Sequence, residues 1–243
     1  EYKAGQYVTV RLFIDELGFK QPRQYSLSDS STGQYLRISV KNESPKAEGQ
    51  DPGYVSSTLH NKVKENDVIE LSAPTGNFFL FNPEKTNVLI SAGIGLTPMM
   101  AMLNQLLTGN TDPNEKVTLW EKIKANFNKP EPKNPINFIH AVRNSRVHAM
   151  KETVQDLAKK HDNLNVFVAY EQTDSKDVLG RDYHAEGRLN LKQLDAKMLP
   201  KDADYYLCGP IPFMQVQHKA LLELGIPAQN IHSEAFGTGG VAL

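Results

Sequence analysis

Residues 21–31, QPRQYSLSDSS, place an arginine, a tyrosine and a serine within four positions of one another. The stretch otherwise has the pattern of a β-strand, which needs no such combination in order to pack. Arg23, Tyr25 and Ser26 offer a cation, an aromatic ring and a hydroxyl group, all of which can bind ligands. Surface strands often carry the same residue types without a ligand, so this stretch alone favours a structural role.

The sharpest motif is SAGIGLTP, residues 91–98, which follows the apolar run NVLI directly. Gly93 and Gly95 allow a tight turn and a close approach of the backbone to a phosphate. Thr97 is expected to cap the next helix and Pro98 to lie in its first turn, so that the free N–H groups of the helix face an anion. Pro98 stands where the dinucleotide fingerprint G-x-G-x-x-G has its third glycine, so a dinucleotide site here would be of another kind.

Two further segments could form parts of a ligand site. YYLCGP, residues 205–210, predicts a buried strand that ends near the 91–98 turn, because ligands in parallel sheets lie at the carboxyl ends of strands. Cys208 itself is more simply a small buried residue. GYVSSTLH, residues 53–60, could hold a phosphate at the start of a short helix, but a plain N-cap serine explains the same residues equally well.

The remaining candidates carry weaker signals. The tail IHSEAFGTGGVAL has an acid and an aromatic residue that could serve packing alone. The seven histidines show no metal-ligand spacing, and the single cysteine, Cys208, excludes an internal disulfide and any cysteine-based zinc or iron–sulfur site. No metal site is therefore expected.

The chain changes character near residue 83, which predicts two domains at residues 1–83 and 84–243. Up to about residue 82 the runs QYVTVRLF, YLRISVK and DVIELSAPTGNFFLF are separated by Gly and Pro, which predicts an all-β antiparallel barrel or sandwich. Beyond it, NVLISAG, INFIHAV, NVFVAY and DYYLCGP alternate with helical patterns, which predicts an α/β domain with a parallel sheet. Residues 108–135 are polar and Pro-rich and are interpreted as a surface insertion.

The helical patterns indicate which faces are buried. One face of the helix within residues 148–162 and one face of the helix within residues 212–225 carry apolar residues, and Gly225 is a natural C-terminal cap. The predicted buried positions are Met150, Val154, Leu157 and Ala158 on the first helix, and Phe213, Val216, Ala220 and Leu224 on the second.

Composition excludes several classes of partner. The net charge of −1 over 243 residues gives no electrostatic footprint for nucleic acid or an anionic membrane. No apolar run approaches the roughly 20 residues that a membrane-spanning helix needs. The single cysteine favours the cytoplasm. Because the sequence begins at Glu1 and enters a strand almost at once, it is interpreted as part of a longer protein.

Taken together, these motifs resemble the ferredoxin-reductase superfamily of flavin- and nicotinamide-binding modules. RQYS, GYVSS, AGIGLTP, CGP and the terminal acid–x–Phe occur in that family's order and spacing. The longer stretches RQYSLSD, HAVRNSRVHAM, GRDY, ADYYLCGPIPFMQVQHKALLELGI and IHSEAFG resemble the reductase part of flavohemoglobins most closely. The resemblance covers nearly the whole chain outside residues 108–135, although the family's first barrel strand and its globin domain are absent from it.

The resemblance implies roles for particular residues. Arg23 would bind the FAD pyrophosphate, Tyr25 and Ser26 would face the isoalloxazine, Phe236 would cover it, and Glu234 would tune redox potentials. Tyr25, Ser26 and Glu234 are accordingly the residues assigned to the reaction. The full set implied to bind FAD or the nicotinamide dinucleotide is Tyr7, Arg23, Gln24, Tyr25, Ser26, Val55, Ser56, Ser57, Gly93, Ile94, Gly95, Leu96, Thr97, Pro98, Cys208, Gly209, Pro210, Ala235, Phe236, Gly237 and Thr238.

The resemblance also implies an activity. The chain would pass electrons from NADH through FAD to the heme of a separate globin domain, in an enzyme that as a whole converts nitric oxide to nitrate with O2. NADPH is the alternative electron donor, because Arg143 and Arg146 follow the second strand of the α/β half and could pair with a 2′-phosphate. Two other functions stay open: a stand-alone or oxygenase-coupled flavin reductase, and a nucleotide-binding module without catalysis.

Overall fold

Two β-sheets organise residues 1–43, 53–108 and 134–236, which are the residues described in a computed structural model of the chain. The first sheet has three antiparallel strands and the second has six parallel strands. The predicted fold class, an antiparallel β unit followed by an α/β unit with a parallel sheet, is therefore confirmed. Neither Gly237 nor Thr238 belongs to the described residues, and most of the predicted insertion at residues 108–135 lies outside them too.

The antiparallel sheet is built on the strand predicted from QYVTVRLF. Its strands are β1 (Tyr7–Ile14), β2 (Phe19–Ser26) and β3 (Glu70–Leu71), in the order β2-β1-β3. Alternate residues of β1 face inward, and Val10 and Ile14 are fully buried. Helix α1 (Tyr54–Asn61) places Val55 against this cluster.

The predicted strand at residues 35–41 is wrong in detail, because it forms only one bridge, between Leu27 and Ile38. Side-chain bonds replace the expected ladder: the Ser28 and Ser39 hydroxyl groups lie 2.9 Å apart. The carboxylate of Asp29 binds the Arg37 guanidinium at 2.8 Å. The end of the run DVIELSAPTGNFFLF likewise forms a single bridge beyond β3, between Tyr7 and Thr75.

The parallel sheet follows the four predicted apolar runs, and two short strands extend it. Its strands are β4 (Asn87–Ala92), β5 (Ile136–Val142), β6 (Leu164–Tyr170), β7 (Ala185–Glu186), β8 (Asp204–Gly209) and β9 (Ile231–Ala235). Their order across the sheet is β7-β6-β5-β4-β8-β9. Every residue of β4 and β8 is buried, as is typical of parallel strands that are covered on both faces.

Three helices pack on this sheet: α2 (Leu96–Thr108), α3 (Lys151–Lys160) and α4 (Ile211–Glu223). The face predicted for α3 is confirmed, since Val154 is buried in the core and Met150, Leu157 and Ala158 pack against it. No helix among the described residues combines the length and the apolar character needed to cross a membrane.

The face predicted for α4 is confirmed at Ala220, which is buried, and at Phe213 and Leu224, which pack against the core. Val216 is wrong, because it is 60% exposed, whereas Met214, Gln217 and Leu221 are buried. Apolar residues occur on more than one side of this helix, so spacing alone did not exclude Val216. Gln217 occupies a buried position because its side-chain amide donates to the Leu189 carbonyl at 3.2 Å. Gly225 follows the helix with a positive φ of 81°, as expected for a cap.

One hydrophobic core is shared by the α/β unit and by segments that flank the antiparallel strands, whereas β1 and α1 form a cluster of their own. Ala4, Phe78 and Leu80 belong to the same buried cluster as the apolar residues of α2. The backbone N–H of Phe81 donates to the hydroxyl group of Tyr206 at 2.8 Å, which ties the end of the β half to β8. These contacts join the β half to the α/β unit.

Candidate functional site

The order of strands in the parallel sheet reverses between β4 and β8, and ligands of such sheets bind at this point, outside the carboxyl ends of the strands. A 3-10 turn, Gly93–Gly95, follows β4 there. A Cβ atom on Gly95 would lie 2.3 Å from the Cys208 carbonyl oxygen, so only glycine permits this approach. The predicted meeting of the 91–98 turn with the end of YYLCGP is therefore confirmed.

Thr97 does not cap the helix as predicted. The 3-10 turn runs directly into α2, which begins at Leu96, so Thr97 lies inside the first helical turn. Its hydroxyl group donates to the Ile94 carbonyl at 3.1 Å. Pro98 lies in the first turn, as expected. Gly93 adopts a φ of +54° with open space on its Cβ side, which leaves room for a ligand beside the turn.

A cavity of about 710 Å³ lies between the antiparallel sheet and this turn. Its volume is in the range of about 300–1,000 Å³ that is usual for ligand sites. Strands β1 and β2, helix α1, the turn before α2 and strand β9 all contribute to its wall. The lining residues that the sequence predicted are Tyr7, Arg23, Gln24, Tyr25, Ser26, Val55, Ser56, Ile94, Thr97, Glu234, Ala235 and Phe236.

Ser26 lies at the end of β2, opposite Tyr7 of β1. Ser26 is only 3% exposed, and its hydroxyl oxygen has no hydrogen-bond partner among the described residues. A buried hydroxyl without a partner costs free energy, roughly 1–3 kcal/mol. A polar ligand atom in the cavity would remove this cost, so Ser26 fits a bound polar group.

Arg23 lines the cavity from the exposed part of β2, but its guanidinium is folded back on its own strand. It donates to the Pro22 carbonyl at 2.7 Å and to the Gln21 side-chain oxygen at 3.2 Å. Binding a phosphate would exchange these bonds for charge-assisted ones. Tyr25 is half-buried beside the cluster of β1, and burial raises the pKa of its hydroxyl group.

The start of α1 forms the opposite wall. Gly53 is the N-cap residue, so the alternative that a serine caps this helix is wrong. The Ser56 hydroxyl donates to the Gly53 carbonyl at 2.8 Å and accepts from the Glu43 N–H at 3.3 Å. Ser57 does not line the cavity, and its N–H donates to the Gly53 carbonyl.

Glu234 of β9 closes the cavity beside Cys208, its register partner on β8. Burial raises the pKa of the Glu234 carboxyl group to about 7, and one carboxyl oxygen has no partner among the described residues. Burial, and then the nearby Glu234, raise the pKa of the Cys208 thiol. Phe236 packs against the shared core and also lines the cavity.

A second, smaller cavity of about 410 Å³ adjoins the first and shares Tyr7 and Glu234 with it. Its wall includes Phe81, whose ring stacks on the imidazole of His232 with 4.4 Å between centroids. Tyr7 and Glu234 therefore contact both cavities.

Comparison with known proteins identifies the family. A family model described as the oxidoreductase NAD-binding domain matches residues 89–219. The flavohem-like FAD/NAD-binding domain of nitric oxide dioxygenase from Vibrio cholerae O1 biovar El Tor is 35% identical, with a TM-score of 0.78. That match covers 98% of this chain and 86% of the other. The chain belongs to the flavohemoprotein branch of the oxidoreductase NAD-binding family.

Longer members of this family match as well. Flavohemoproteins from Bordetella pertussis and Chromobacterium violaceum are each 46% identical over 100% and 98% of this chain, and the chain spans 54% and 53% of their lengths. The flavohemoglobin of Malassezia yamatoensis, solved with bound FAD and heme, is 25% identical with a TM-score of 0.70. That match covers 98% of this chain and 52% of the other. The chain thus spans about half the length of these relatives.

The cavity also has lining residues that the sequence did not single out. Seven predicted residues at the ends of β4 and β8 do not line the cavity; these are Gly93, Gly95, Leu96, Pro98, Cys208, Gly209 and Pro210. The unpredicted lining residues are Thr9, Pro22, Ser39, Lys41, Glu43 and Gly53. The alternation in residues 35–41 was a usable signal for Ser39 and Lys41, because it places them on one side of that segment.

Proposed function

We propose that this chain is an NADH-oxidising flavin reductase module, which binds FAD in the 710 Å³ cavity and NADH at the 91–98 turn. The observation that carries the proposal is that one cavity gathers residues from both sheets, including the Ser26 hydroxyl, which no described residue pairs. When bound, FAD would supply the capacity to take two electrons from a nicotinamide and release them one at a time.

We assign the cavity residues as follows. Arg23 binds the pyrophosphate, and Ser26 donates its unpartnered hydroxyl to the isoalloxazine while Tyr25 lies beside the ring. The N–H groups at the start of α1, near Val55 and Ser56, face the phosphates, which suits the positive end of a helix. Phe236 covers the ring and keeps water away from it.

The nicotinamide dinucleotide is assigned to the junction of β4 and β8. Its pyrophosphate lies at the Gly93–Gly95 turn, where the backbone is accessible and helix α2 begins. Ile94 of this turn and Thr97 of the first turn of α2 also line the large cavity, so a dinucleotide here reaches the space assigned to FAD. Glu234 lies at the contact between the two cofactors, where its carboxyl group influences their potentials.

The acceptor of the electrons is assigned to a globin heme domain of a longer flavohemoprotein, which as a whole converts nitric oxide to nitrate with O2. The 46% identity to flavohemoproteins supports this choice. A reductase of another electron-transfer system, Amycolatopsis GcoB, is only 20% identical and shares the fold alone. We place the module in the cytoplasm and divide it at residues 83 and 84, with Glu234, Ala235 and Phe236 returning to the FAD cavity.

The test is NADH-dependent reduction of ferricyanide by the chain loaded with FAD. The proposal predicts ferricyanide reduction, a higher kcat/KM with NADH than with NADPH, and no consumption of nitric oxide, since that reaction needs O2 on a heme iron. A chain that binds FAD but leaves ferricyanide oxidised would instead support a nucleotide-binding module without catalysis. Nitric oxide consumption by the isolated chain would contradict the assignment of that step to a separate domain.

A further inference from the structure

An ion pair spans the two loops that follow β5 and β6. The Nε and Nη2 atoms of Arg146 donate to the same carboxylate oxygen of Asp174, at 3.2 and 2.7 Å. Arg146 lies in the 3-10 turn Ser145–Val147 after β5, and Asp174 lies a few residues beyond the end of β6. Because β4, β5 and β6 are parallel neighbours, this pair lies at the same edge of the sheet as the Gly93–Gly95 turn.

The position after β5 is where doubly wound dinucleotide-binding sheets distinguish the two nicotinamide cofactors. An acidic residue there binds the 2′-hydroxyl of the adenosine ribose, and an arginine accommodates a 2′-phosphate. Arg146 has the right side chain for the phosphate and is 79% exposed. Its donors, however, are directed to Asp174, whose side chain is 38% exposed.

The loop after β6 adds further negative charge. The N–H of Asp174 donates to the Asp177 carboxylate at 2.7 Å, so a second acidic side chain lies beside the pair. The hydrogen bond and the charge of Asp174, and then the charge of Asp177, raise the pKa of Arg146. The same two loops also contain Arg143, Lys176 and Arg181. Arg181 pairs with Asp182 at 2.8 Å, and no ion pair within the described part of the chain involves Arg143 or Lys176.

We propose that Asp174 is a specificity-determining residue that disfavours NADPH. Its carboxylate accepts hydrogen bonds from the guanidinium of Arg146 and places a negative charge where the 2′-phosphate would bind. NADH carries a neutral 2′-hydroxyl at this point and meets no such repulsion. The inference rests on the proposed function, since it requires the nicotinamide dinucleotide to bind along this edge.

Asp174→Asn is a suitable test because it removes the charge and keeps the shape. In the unmodified protein the Ser175 N–H donates to the Asp174 carboxylate at 2.9 Å. The amide oxygen of the variant still accepts this hydrogen bond. The measurement is the Kd of 2′,5′-ADP and of 5′-ADP for the purified chain, by calorimetry at low salt. These probes carry the two forms of the adenosine end and need neither FAD nor turnover.

We expect Asp174→Asn to bind 2′,5′-ADP at least about fivefold more tightly, the effect of roughly one unit-charge interaction at 4 Å in water. Binding of 5′-ADP changes by less than about twofold, because it lacks the charged group near residue 174. The gain shrinks at high salt. In the double variant Arg146→Ala, Asp174→Asn the gain is smaller, because the relief of charge repulsion remains and the freed guanidinium is lost. An equal gain in that double variant would overturn the role of Arg146.

Asp195→Asn is the matched control. Asp195 pairs with Lys197, whose carbonyl accepts from Asn137 at the start of β5, so this carboxylate lies at the opposite edge of the sheet. We expect Asp195→Asn to leave the ratio of the Kd of 2′,5′-ADP to the Kd of 5′-ADP unchanged.

The outcomes also separate this inference from the proposed function. Normal binding of 5′-ADP with an unchanged ratio in Asp174→Asn contradicts the role of Asp174 alone. Failure of the chain to bind 5′-ADP at all, together with no oxidation of NADH, contradicts the proposed function and the inference with it. In steady-state kinetics we expect Asp174→Asn to raise kcat/KM for NADPH several-fold and to leave kcat/KM for NADH unchanged.

Discussion

Ser26 and Glu234 each bury a polar oxygen that has no hydrogen-bond partner among the described residues, and both line the same cavity. Buried polar groups in native proteins are nearly always paired, so unpaired ones need a physical reason. A ligand that offers polar atoms to both sides of the cavity supplies that reason. The two side chains come from β2 and β9, which are distant in sequence, and only the folded chain brings them together.

At the scale of one residue, Arg23→Ala is predicted to weaken FAD binding by about 10-fold or more, since a charge-assisted hydrogen bond is worth roughly 1.5–3 kcal/mol. Arg23→Lys is predicted to lose less, because lysine keeps the charge but not the paired donors. Fluorescence titration of FAD measures both Kd values. Lys20→Ala is the control, because Lys20 is on the same strand but pairs with Glu70 outside the cavity. Equal Kd values for Arg23→Ala and the unmodified chain would remove Arg23 from the site.

Gly95→Ala is predicted to destabilise the fold, because its Cβ would lie 2.3 Å from backbone atoms of Cys208, which cannot move aside as a side chain can. Overpacking of this kind costs about 1–3 kcal/mol. Urea unfolding gives the free-energy change. Gly180→Ala is the comparison, since a Cβ there meets no atom within 4 Å and only the positive φ of 81° opposes it. A Gly95→Ala protein as stable as the unmodified one would show that the close approach of the two turns is not rigid.

At the scale of the elements, β4, β5 and β6 are connected by a buried polar chain. The Ser91 hydroxyl lies 2.8 Å from His140 Nδ1, and the imidazole of His148 lies between His140 and the Tyr170 hydroxyl, with 2.8 Å to the latter. Burial, and then the neighbouring His148, lower the pKa of His140 to about 3. Burial lowers the pKa of His148 to about 4, aided by Lys151 and opposed by Asp182. Both imidazoles are therefore neutral in the folded protein.

Because these two imidazoles stay neutral, we expect the stability of the folded protein to fall on acidification below about pH 6.5. In the unfolded state each histidine takes up a proton near its ordinary pKa of 6.5, whereas the folded state stays neutral down to about pH 4 or 3. Each such proton changes the free energy of unfolding by about 1.4 kcal/mol per pH unit. Glu234 opposes this between about pH 7 and 4.5, because its raised pKa makes the folded state bind the extra proton.

Urea unfolding at pH 7 and pH 5 measures the effect in the unmodified chain and in His140→Gln. The variant is expected to lose less stability between the two pH values. Ser91→Ala is the control: it removes the hydrogen bond but leaves both imidazoles, so it lowers stability at both pH values and keeps the dependence on pH. An identical pH dependence in His140→Gln and the unmodified chain would contradict the account.

The elements also show what the sequence could and could not predict. Strands β4, β5, β6 and β8 were predictable because buried parallel strands are continuous apolar runs bounded by turns. The conformation of residues 35–41 was not predictable, because Asp29 and Ser28 bind that segment through side-chain contacts that alternation does not encode. Thr97 resembled a cap in sequence, but the 3-10 turn before it shifts the start of α2 by two residues, from Pro98 to Leu96.

At the scale of the whole molecule, one core joins segments that flank the antiparallel strands to the α/β unit, with Ala4 and Phe78 packed among the residues of α2. The Asp29 carboxylate strengthens this junction, because it accepts a hydrogen bond from the Asn104 side chain of α2 at 2.8 Å. The large cavity lies along the same junction. Its lining residues from β1, β2 and α1 were recognised through resemblance to a family, but their closeness to the Gly93–Gly95 turn is a property of the three-dimensional packing.

The central claim, that one cavity brings FAD and NADH together, is tested most directly by an anaerobic titration of the FAD-loaded chain with NADH. The flavin absorbance near 450 nm should bleach in proportion to added NADH. About one NADH should suffice per bound FAD, because NADH donates two electrons and FAD accepts two. Bleaching reports transfer inside this chain and needs neither a heme nor an added acceptor. A chain that retains its FAD and binds NADH, yet keeps the full oxidised flavin spectrum, would contradict the account.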